Sequence, residues 1–208
     1  MTTIYTFNSK VLKNTANDKW LIKKAIDPYN PLGLPTNIIR IKYLSGYTPD
    51  MGDTQTLVDS TNNVWDIYKE DNDWSSLFNN KTRLLEVLGA NTTDVTDMSS
   101  MFNGCAELTT ITLFDTSNVT SMYRMFRNCG NITTSIPLFN TSKVTDMEAM
   151  FFHCYKVQSG ALALYNQAST QTTPPIYHEN AFNGCGRNTQ TGAAELAQIP
   201  SSWGGTGE

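Results

Sequence analysis

The sequence VTDMSSMFNGCAEL at residues 95–108 is repeated as VTSMYRMFRNCGNI at residues 119–132 and as VTDMEAMFFHCYKV at residues 144–157. The three copies begin at Val95, Val119 and Val144, so the period is nearly constant. A fixed period in the twenties is typical of proteins that stack one small structural unit on the next. The spacing therefore predicts that the middle of the chain is a repeat array.

Weaker repeats extend the array on both sides, as WSSLFNNKTRLLEVL at residues 74–88 and, after a longer step, as AFNGC at residues 181–185. The array then has about five repeats, and an irregular last repeat is expected where a stack must be sealed. Aligned apolar positions predict a shared interior. The predicted core columns contain Met98, Met101, Phe102, Cys105, Met122, Met125, Phe126, Cys129, Met147, Met150, Phe151, Cys154, Phe182 and Cys185.

The apolar spacing within one repeat predicts its secondary structure. Val95, Met98, Met101 and Phe102 follow the spacing of one helix face, with the oxygens of the preceding polar residues available as a cap. Residues 111–113 alternate as a strand does. The predicted fold class is therefore an α/β solenoid, a leucine-rich-repeat-like array of helix-turn-strand repeats of about 24–25 residues whose strands form a parallel sheet.

In such a sheet one row of strand side chains faces solvent, and we expect ligand contacts along it. The predicted ligand-binding row consists of Glu86, Thr110, Thr112 and Ser135.

The chain divides into three predicted parts. Residues 1–64 are not repeat-like and predict a small β-rich docking or capping domain, residues 65–198 hold the array, and residues 199–208 form a C-terminal cap and Gly-rich tail in which Trp203 covers the last repeat. Short strands or extended elements are predicted at residues 4–7, 10–12, 19–22, 37–43 and 64–68.

Charge is distributed unevenly along the chain. The first 45 residues hold seven Lys or Arg against two Asp, a local net charge of +5 in a chain of −4, so the remainder carries −9. A solvated basic face is one interpretation, and an electrostatic anchor for an acidic partner surface is the other. The predicted docking residues are Lys10, Lys13, Lys19, Lys23 and Lys24.

The repeats resemble the BspA-like leucine-rich repeat family, whose repeats share the Thr-Ser-x-Val-Thr, Met, Met-Phe and Cys pattern before a Leu-rich strand. The resemblance covers about residues 74–185. It implies a curved solenoid outside the bacterial cell that binds proteins or glycans and has no enzymatic activity. Bacterial surface members are secreted, whereas the start MTTIYTFNSKVLKNT has no apolar run typical of a signal peptide.

Other chemistry finds little support in the sequence. All four Cys occupy one repeat column, which favours buried free thiols over the alternative of ladder disulfides. No Cys pair has the spacing of a zinc site, and Asp50, Asp53, Asp71 and Asp73 lack the spacing of a calcium loop. The two histidines, His153 and His178, are not part of a nucleophile–base motif. We therefore expect no enzyme, cofactor or metal.

Two functions remain open. The first is a phage virion surface protein, such as a head fibre, decoration or tail-associated protein, that docks through its N-terminal domain to other virion proteins and presents the array to a protein or glycan receptor. The second is a BspA-like adhesin on a bacterial cell surface. With a net charge of −4 and a hydrophobic fraction of 39%, neither nucleic-acid binding nor a membrane span is expected. A homo-oligomer is compatible with either function, and the sequence does not predict its size.

Overall fold

The structure is a computed structural model that describes residues 27–51 and 54–207, together with the backbone of residues 11–13 and 20–22. Its strands are β1 (Val11–Lys13), β2 (Trp20–Ile22), β3 (Ile38–Tyr43), β4 (Gln55–Asp59), β5 (Val64–Tyr68) and β6 (Leu84–Ala90). Its helices are α1 (Ala161–Thr170) and α2 (Gln190–Leu196), followed by a 3₁₀ turn at Ser201–Trp203.

Four of the strands form one antiparallel sheet in the order β4-β5-β3-β6, and β1 pairs with β2 in a separate antiparallel hairpin. Strand β3 shows the expected alternation, with Ile39, Ile41 and Tyr43 buried on one face. The predicted strands at residues 37–43 and 64–68 are confirmed as β3 and β5. The sheet takes strands from both sides of the predicted boundary at residue 64.

The shorter N-terminal predictions can be compared only in part. The segments at residues 10–12 and 19–22 overlap the backbone of β1 and β2. The segment predicted at residues 4–7 lies outside the described residues.

The predicted α/β solenoid of helix-turn-strand repeats is wrong. Residues 95–157 contain neither a helix nor a strand. The segment predicted as helix, residues 95–102, consists of consecutive turns, and residues 111–113 are extended without strand pairing. Neighbouring repeats meet at isolated parallel bridges, such as Asp97 with Ser121, instead of forming a parallel sheet.

Backbone hydrogen bonds nevertheless join each repeat to the next, and we call residues 74–185 the repeat stack. Alternate N–H groups along a repeat cross to the following repeat, and those between them close turns within their own repeat, as Met101 N–H does to the carbonyl of Met98 at 3.2 Å. The crossing N–H groups of the first clear repeat, Met98, Ser100, Phe102 and Gly104, donate to the carbonyls of Ser121, Tyr123, Met125 and Arg127. This alternation satisfies the backbone without helix or sheet.

Left-handed backbone conformations explain why the helix does not form. Ser100, Arg124 and Ala149 lie between the two Met columns of their repeats and have φ of 55°, 54° and 53°. An α-helix of L-residues requires a negative φ at every position, so a left-handed residue inside each predicted helix segment interrupts it. The preceding Asp97 carboxylate accepts from the N–H of Ser99 at 2.7 Å, which closes a side-chain turn instead of capping a helix.

The repeats bury their aligned side chains along one continuous core. The phenylalanine column Phe78, Phe102, Phe126, Phe151 and Phe182 stacks with ring centroids 5.2–6.1 Å apart. All fourteen residues of the predicted core columns have a relative exposure of 0%. Since the inner rings are held on both sides by the same ring of a neighbouring repeat, the column sets the rise of the stack.

The C-terminal end of the stack is covered by residues that break the repeat. Helix α1 lies within the longer step between Phe151 and Phe182 and buries Ala161, Leu164 and Ala168. Trp203 packs on Phe182 with ring centroids 6.4 Å apart, and its carbonyl accepts from the N–H of Phe182. The last ring of the column therefore has an aromatic cover.

Candidate functional site

The predicted ligand row begins in β6, which the sheet shares with the first repeat of the stack, and continues along the following repeats. Glu86 belongs to β6, where its carboxylate accepts from Lys42 Nζ at 3.1 Å, and it forms a parallel bridge with Thr110. Thr112 is half-buried, and so are Glu86 and Thr110. The structure therefore brings Glu86 and Thr110 together but leaves neither fully open to solvent.

Ser135 is the exposed member of the row, and its hydroxyl lies 2.6 Å from that of Ser159. The register places it one residue away from the predicted alignment. The N–H of Thr133 donates to the carbonyl of Thr109, so Thr134, not Ser135, follows Thr110 in the next repeat. The spacing from Val95 to Val119 in the first two clear repeats already contained this register.

The predicted docking lysines fall largely outside the described structure. Lys10, Lys19, Lys23 and Lys24 are not among the described residues, and of Lys13 only the backbone, in β1, is described.

The four cysteines are free thiols buried in the core. Cys129 Sγ donates to the carbonyl of Phe102 in the preceding repeat at 3.0 Å, and Cys105 and Cys154 make the equivalent bonds. Burial raises the pKa of the Cys105 thiol to about 12 and raises the pKa of Cys129 as well. These thiols are protonated at neutral pH and act as small apolar groups with one weak donor.

The acidic residues of the turns are occupied by local hydrogen bonds. Asp73 accepts from the N–H of Ser75 at 2.8 Å, and hydrogen bonds from Ser75 lower the pKa of Asp73. Asp71 accepts from Lys69. Among the described residues no group of three or more His, Cys, Asp or Glu side chains has the arrangement of a metal site.

A shallow polar groove of about 420 Å³ lies where the segment after residue 27 approaches the repeat stack. Its lining residues are Tyr29, Leu138, Asn140, Ser142, Gln167 and Gln171. The amide of Gln171 is already hydrogen-bonded to the carbonyls of Thr141 and Thr173. The groove thus offers few free polar groups.

A different surface brings together aromatic and cationic side chains that the sequence analysis did not single out. We call Arg127, Phe152, His153, Tyr155 and Arg187 the aromatic–arginine ridge. All lie in the segment around the Cys column, from three consecutive repeats. The available sequence signal was a departure from pattern, since the positions of Arg127, Phe152, His153 and Tyr155 hold Asn, Gly or Ala in other repeats.

The ridge is one continuous run of stacked planar groups. The guanidinium of Arg127 lies 5.4 Å from the ring centroid of Phe152, and that ring lies 3.8 Å from the imidazole of His153. His153 is 5.0 Å from the ring of Tyr155, which in turn lies 4.2 Å from the guanidinium of Arg187. Burial lowers the pKa of His153, and the charges of Arg187 and Arg127 lower it further. The imidazole is therefore neutral at neutral pH, between two cations.

These features define a protein built from stacked turn repeats around a Met, Phe and Cys interior. The model of the family described as "Mycoplasma protein of unknown function, DUF285" matches residues 59–188, which is more than half of the chain. The chain belongs to this family, a BspA-like/Mycoplasma repeat family. No curated protein and no solved structure matches it.

Among the helices of the described residues, none has the length and apolar character needed to cross a bilayer.

Proposed function

We propose that the protein is a non-enzymatic binding module on the surface of a phage virion, as a head fibre, decoration or tail-associated protein. Its N-terminal part docks to other virion proteins, and its repeat stack is presented for attachment to a host or environmental surface. The observation that carries the proposal is the complete burial of the repeated columns. Positions outside those columns are held on a rigid frame, and such a frame suits recognition by surface residues.

The outer positions supply the chemistry of a binding surface. Thr110, Thr112 and Thr134 lie half-buried at neighbouring heights of the stack, where the backbone is fixed by hydrogen bonds between repeats and the Thr134 hydroxyl accepts from the N–H of Ile111. Hydroxyls donate and accept hydrogen bonds, which suits polar ligands such as glycans and peptide groups.

The charge distribution supports docking through the N-terminal part. A net charge of +5 in the first 45 residues stands against −9 in the remainder. Such an asymmetry favours contact of the basic part with an acidic partner, and this contact leaves the repeat stack facing outward.

A test of attachment replaces Thr110 and Thr112 with Lys. We expect loss of attachment to host cells with an unchanged melting temperature, because two long cations on a fixed surface obstruct the contact without entering the core. The matched control is T172K/T173K, two exposed threonines in the loop after α1. Equal attachment by both variants would contradict the proposed row.

A test of docking reverses Lys23 and Lys24 to Glu. We expect weaker incorporation into particles, and the control K143E/K156E changes the same charge at exposed positions of the repeat stack. Incorporation that falls equally in both variants would indicate a general charge effect and count against N-terminal docking.

The second candidate is a bacterial cell-surface adhesin, and membership of a family described from Mycoplasma favours it. Mass spectrometry of purified particles and of cell envelopes separates the two. Recovery in particles supports the virion proposal, and recovery only in envelopes supports the adhesin.

A further inference from the structure

We infer that the aromatic–arginine ridge is a binding site for a carboxylated polysaccharide. This inference deepens the proposed function, because it gives the attachment surface a ligand class and adds a site apart from the threonine row. It rests on the proposal that the repeats bind an external ligand.

The two arginines of the ridge are oriented but not neutralised. Among the described residues, no carboxylate lies within 4.0 Å of Arg127 or Arg187, whereas Arg40 in the sheet makes two hydrogen bonds to Asp66. A guanidinium stacked on an aromatic face keeps the N–H donors at its edge free for a planar anion. The ridge therefore presents two preorganised carboxylate-binding groups.

The aromatic part of the ridge has a built support. The ring of Tyr155 lies between two glycines of the neighbouring repeats, 3.7 Å from the position of a Cβ on Gly130 and 3.1 Å from one on Gly184. Gly184 has a φ of +72°, which favours glycine there. Because side chains are missing on both sides, the large ring fits into the stack and holds Arg187 against its face.

The geometry of the ridge fits a linear polymer. Its groups follow the stack direction over three repeats, and neighbouring repeats are 5.2–6.1 Å apart at the phenylalanine column. Because each ring of the run has a planar neighbour on both sides, the rings serve to hold the two guanidinium groups in place. A polymer of uronic acid units presents, at regular steps, the carboxylates that guanidinium groups bind in a bidentate way.

Nucleic acid fits the ridge less well. Its binding depends on many phosphate contacts, and the ridge offers two arginines with exposed Lys156 nearby in sequence, in a chain of net charge −4. The neutral imidazole of His153 between the arginines also adds no charge at neutral pH.

The experiment uses the two histidines of the chain as local probes in NMR spectra of the full-length protein. His153 belongs to the ridge, whereas His178 stacks on Trp203 with centroids 4.2 Å apart and serves as the internal reference. We expect a hyaluronan octasaccharide to shift the His153 imidazole signals saturably and to leave those of His178 in place. A neutral chito-oligosaccharide of equal length should shift neither.

Variants make the assignment quantitative. Replacing both ridge arginines, R127Q/R187Q, should weaken the affinity about tenfold or more, because each removes a charge-assisted hydrogen-bonding group. The control R83Q removes a guanidinium that also stacks on a ring, 4.0 Å from that of Tyr47, and should change the affinity less than about twofold. Unshifted His178 signals in each variant verify the fold.

Several outcomes would overturn the inference. The first is that the His153 signals do not move when hyaluronan is added. The second is that R127Q/R187Q binds hyaluronan as tightly as R83Q does. The third is that a single-stranded oligonucleotide binds the ridge more tightly than hyaluronan does. If hyaluronan fails while T110K/T112K still abolishes attachment, the ridge inference is wrong and the proposed function stands. If hyaluronan binds the ridge while T110K/T112K attaches normally, the row is wrong and the ridge stands.

Discussion

The four-stranded sheet and the repeat stack satisfy the same backbone groups in different ways. In the sheet, β3 pairs with antiparallel neighbours on both sides, with two register shifts along β6. In the stack, alternate N–H groups reach the following repeat, and the groups between them close turns instead of reaching a neighbour on the opposite side, as they do in a central strand. The comparison shows that an apolar period close to that of a helix can also arise from a chain of turns in which two residues of each repeat, such as Ser100 and Gly104, are left-handed.

The two regions also differ in their polar contacts. Each ion pair found among the described residues involves residues 40–86, and these include Arg40 with Asp66 and Lys42 with Glu86. The clear repeats instead use hydrogen bonds without ion pairs among the described residues, as in Thr92 and Thr116, whose buried hydroxyls donate to carbonyls of the next repeat at 2.8 and 2.9 Å. The stability of the sheet should therefore depend on salt concentration more than that of the clear repeats.

The variant with the largest expected effect, F126A, tests whether the two regions unfold separately. Phe126 stacks between Phe102 and Phe151, and its replacement with Ala should lower the free energy of unfolding by about 3–5 kcal/mol. The buried residues of sheet and stack form one cluster. We therefore expect a single urea transition, monitored by tryptophan fluorescence and circular dichroism.

The matched change in the sheet is I67A, at a side chain that is also fully buried. It should shift the same single transition. Two separate transitions in F126A, with that of the sheet unchanged, would show that the regions are independent.

The buried thiols predict a second difference, in alkaline stability. Because burial raises the pKa of Cys105 to about 12, and that of Cys129 also, the thiols ionise more readily in the unfolded chain. Their stabilising contribution is complete below the unfolded pKa of about 8.5 and is lost as the pH rises toward the folded value. We expect the free energy of unfolding to fall between about pH 9 and pH 12.

Lysines and tyrosines titrate in the same range, so the control is the variant C105A/C129A. Its stability at pH 7 should be lower, because two buried thiols are truncated, but its decline above pH 9 should be shallower. A parallel decline in both proteins would contradict the role of the thiols. The unaltered protein should also react with a thiol reagent only after denaturation.

A smaller effect is expected from the ion pairs of the sheet. Arg40 Nε and Nη2 donate to the Asp66 carboxylate at 2.6 and 2.7 Å, and both side chains are mostly shielded from solvent. R40M should cost about 1 kcal/mol in urea unfolding, less in high salt. The control K69M removes a pair whose Asp71 is 61% exposed, and it should cost about 0.5 kcal/mol or less. If R40M and K69M lower the free energy of unfolding equally, the shielded ion pair is no stronger than the exposed one and the prediction is wrong.

The contents of the core could be predicted from the sequence, since the repeated Met, Phe and Cys positions are identical in three repeats and each is buried. The strands β3 and β5 could also be predicted, because alternation in a half-buried strand has no close competitor. The repeat conformation could not. Spacings of three, three and one residues suit a helix face and a chain of turns equally well, and the sequence-based interpretation chose the helix.

The candidate site was predicted less well for a related reason. The residues of the predicted ligand row depend on which carbonyl of one repeat accepts from which N–H of the next. The predicted register differs from that of the structure by one residue, so that Thr134 takes the place predicted for Ser135. The ridge was missed because its members differ from the repeat pattern, and a search for shared columns passes over such residues. Their proximity depends on the rise of the stack, which the sequence period does not specify.

The variant with the smallest expected effect, S100G, tests the left-handed backbone conformation directly. Ser100 has a φ of 55° inside the first clear repeat, and a side chain in this region costs about 1–2 kcal/mol relative to glycine. S100G should raise the free energy of unfolding by about 0.5–1 kcal/mol, after the greater freedom of glycine in the unfolded chain is subtracted. The control S142G changes an exposed turn serine that has no positive φ and should be neutral or destabilising. A helix at residues 95–102 would reverse the sign for S100G, because glycine destabilises a helix interior by about 1 kcal/mol relative to alanine.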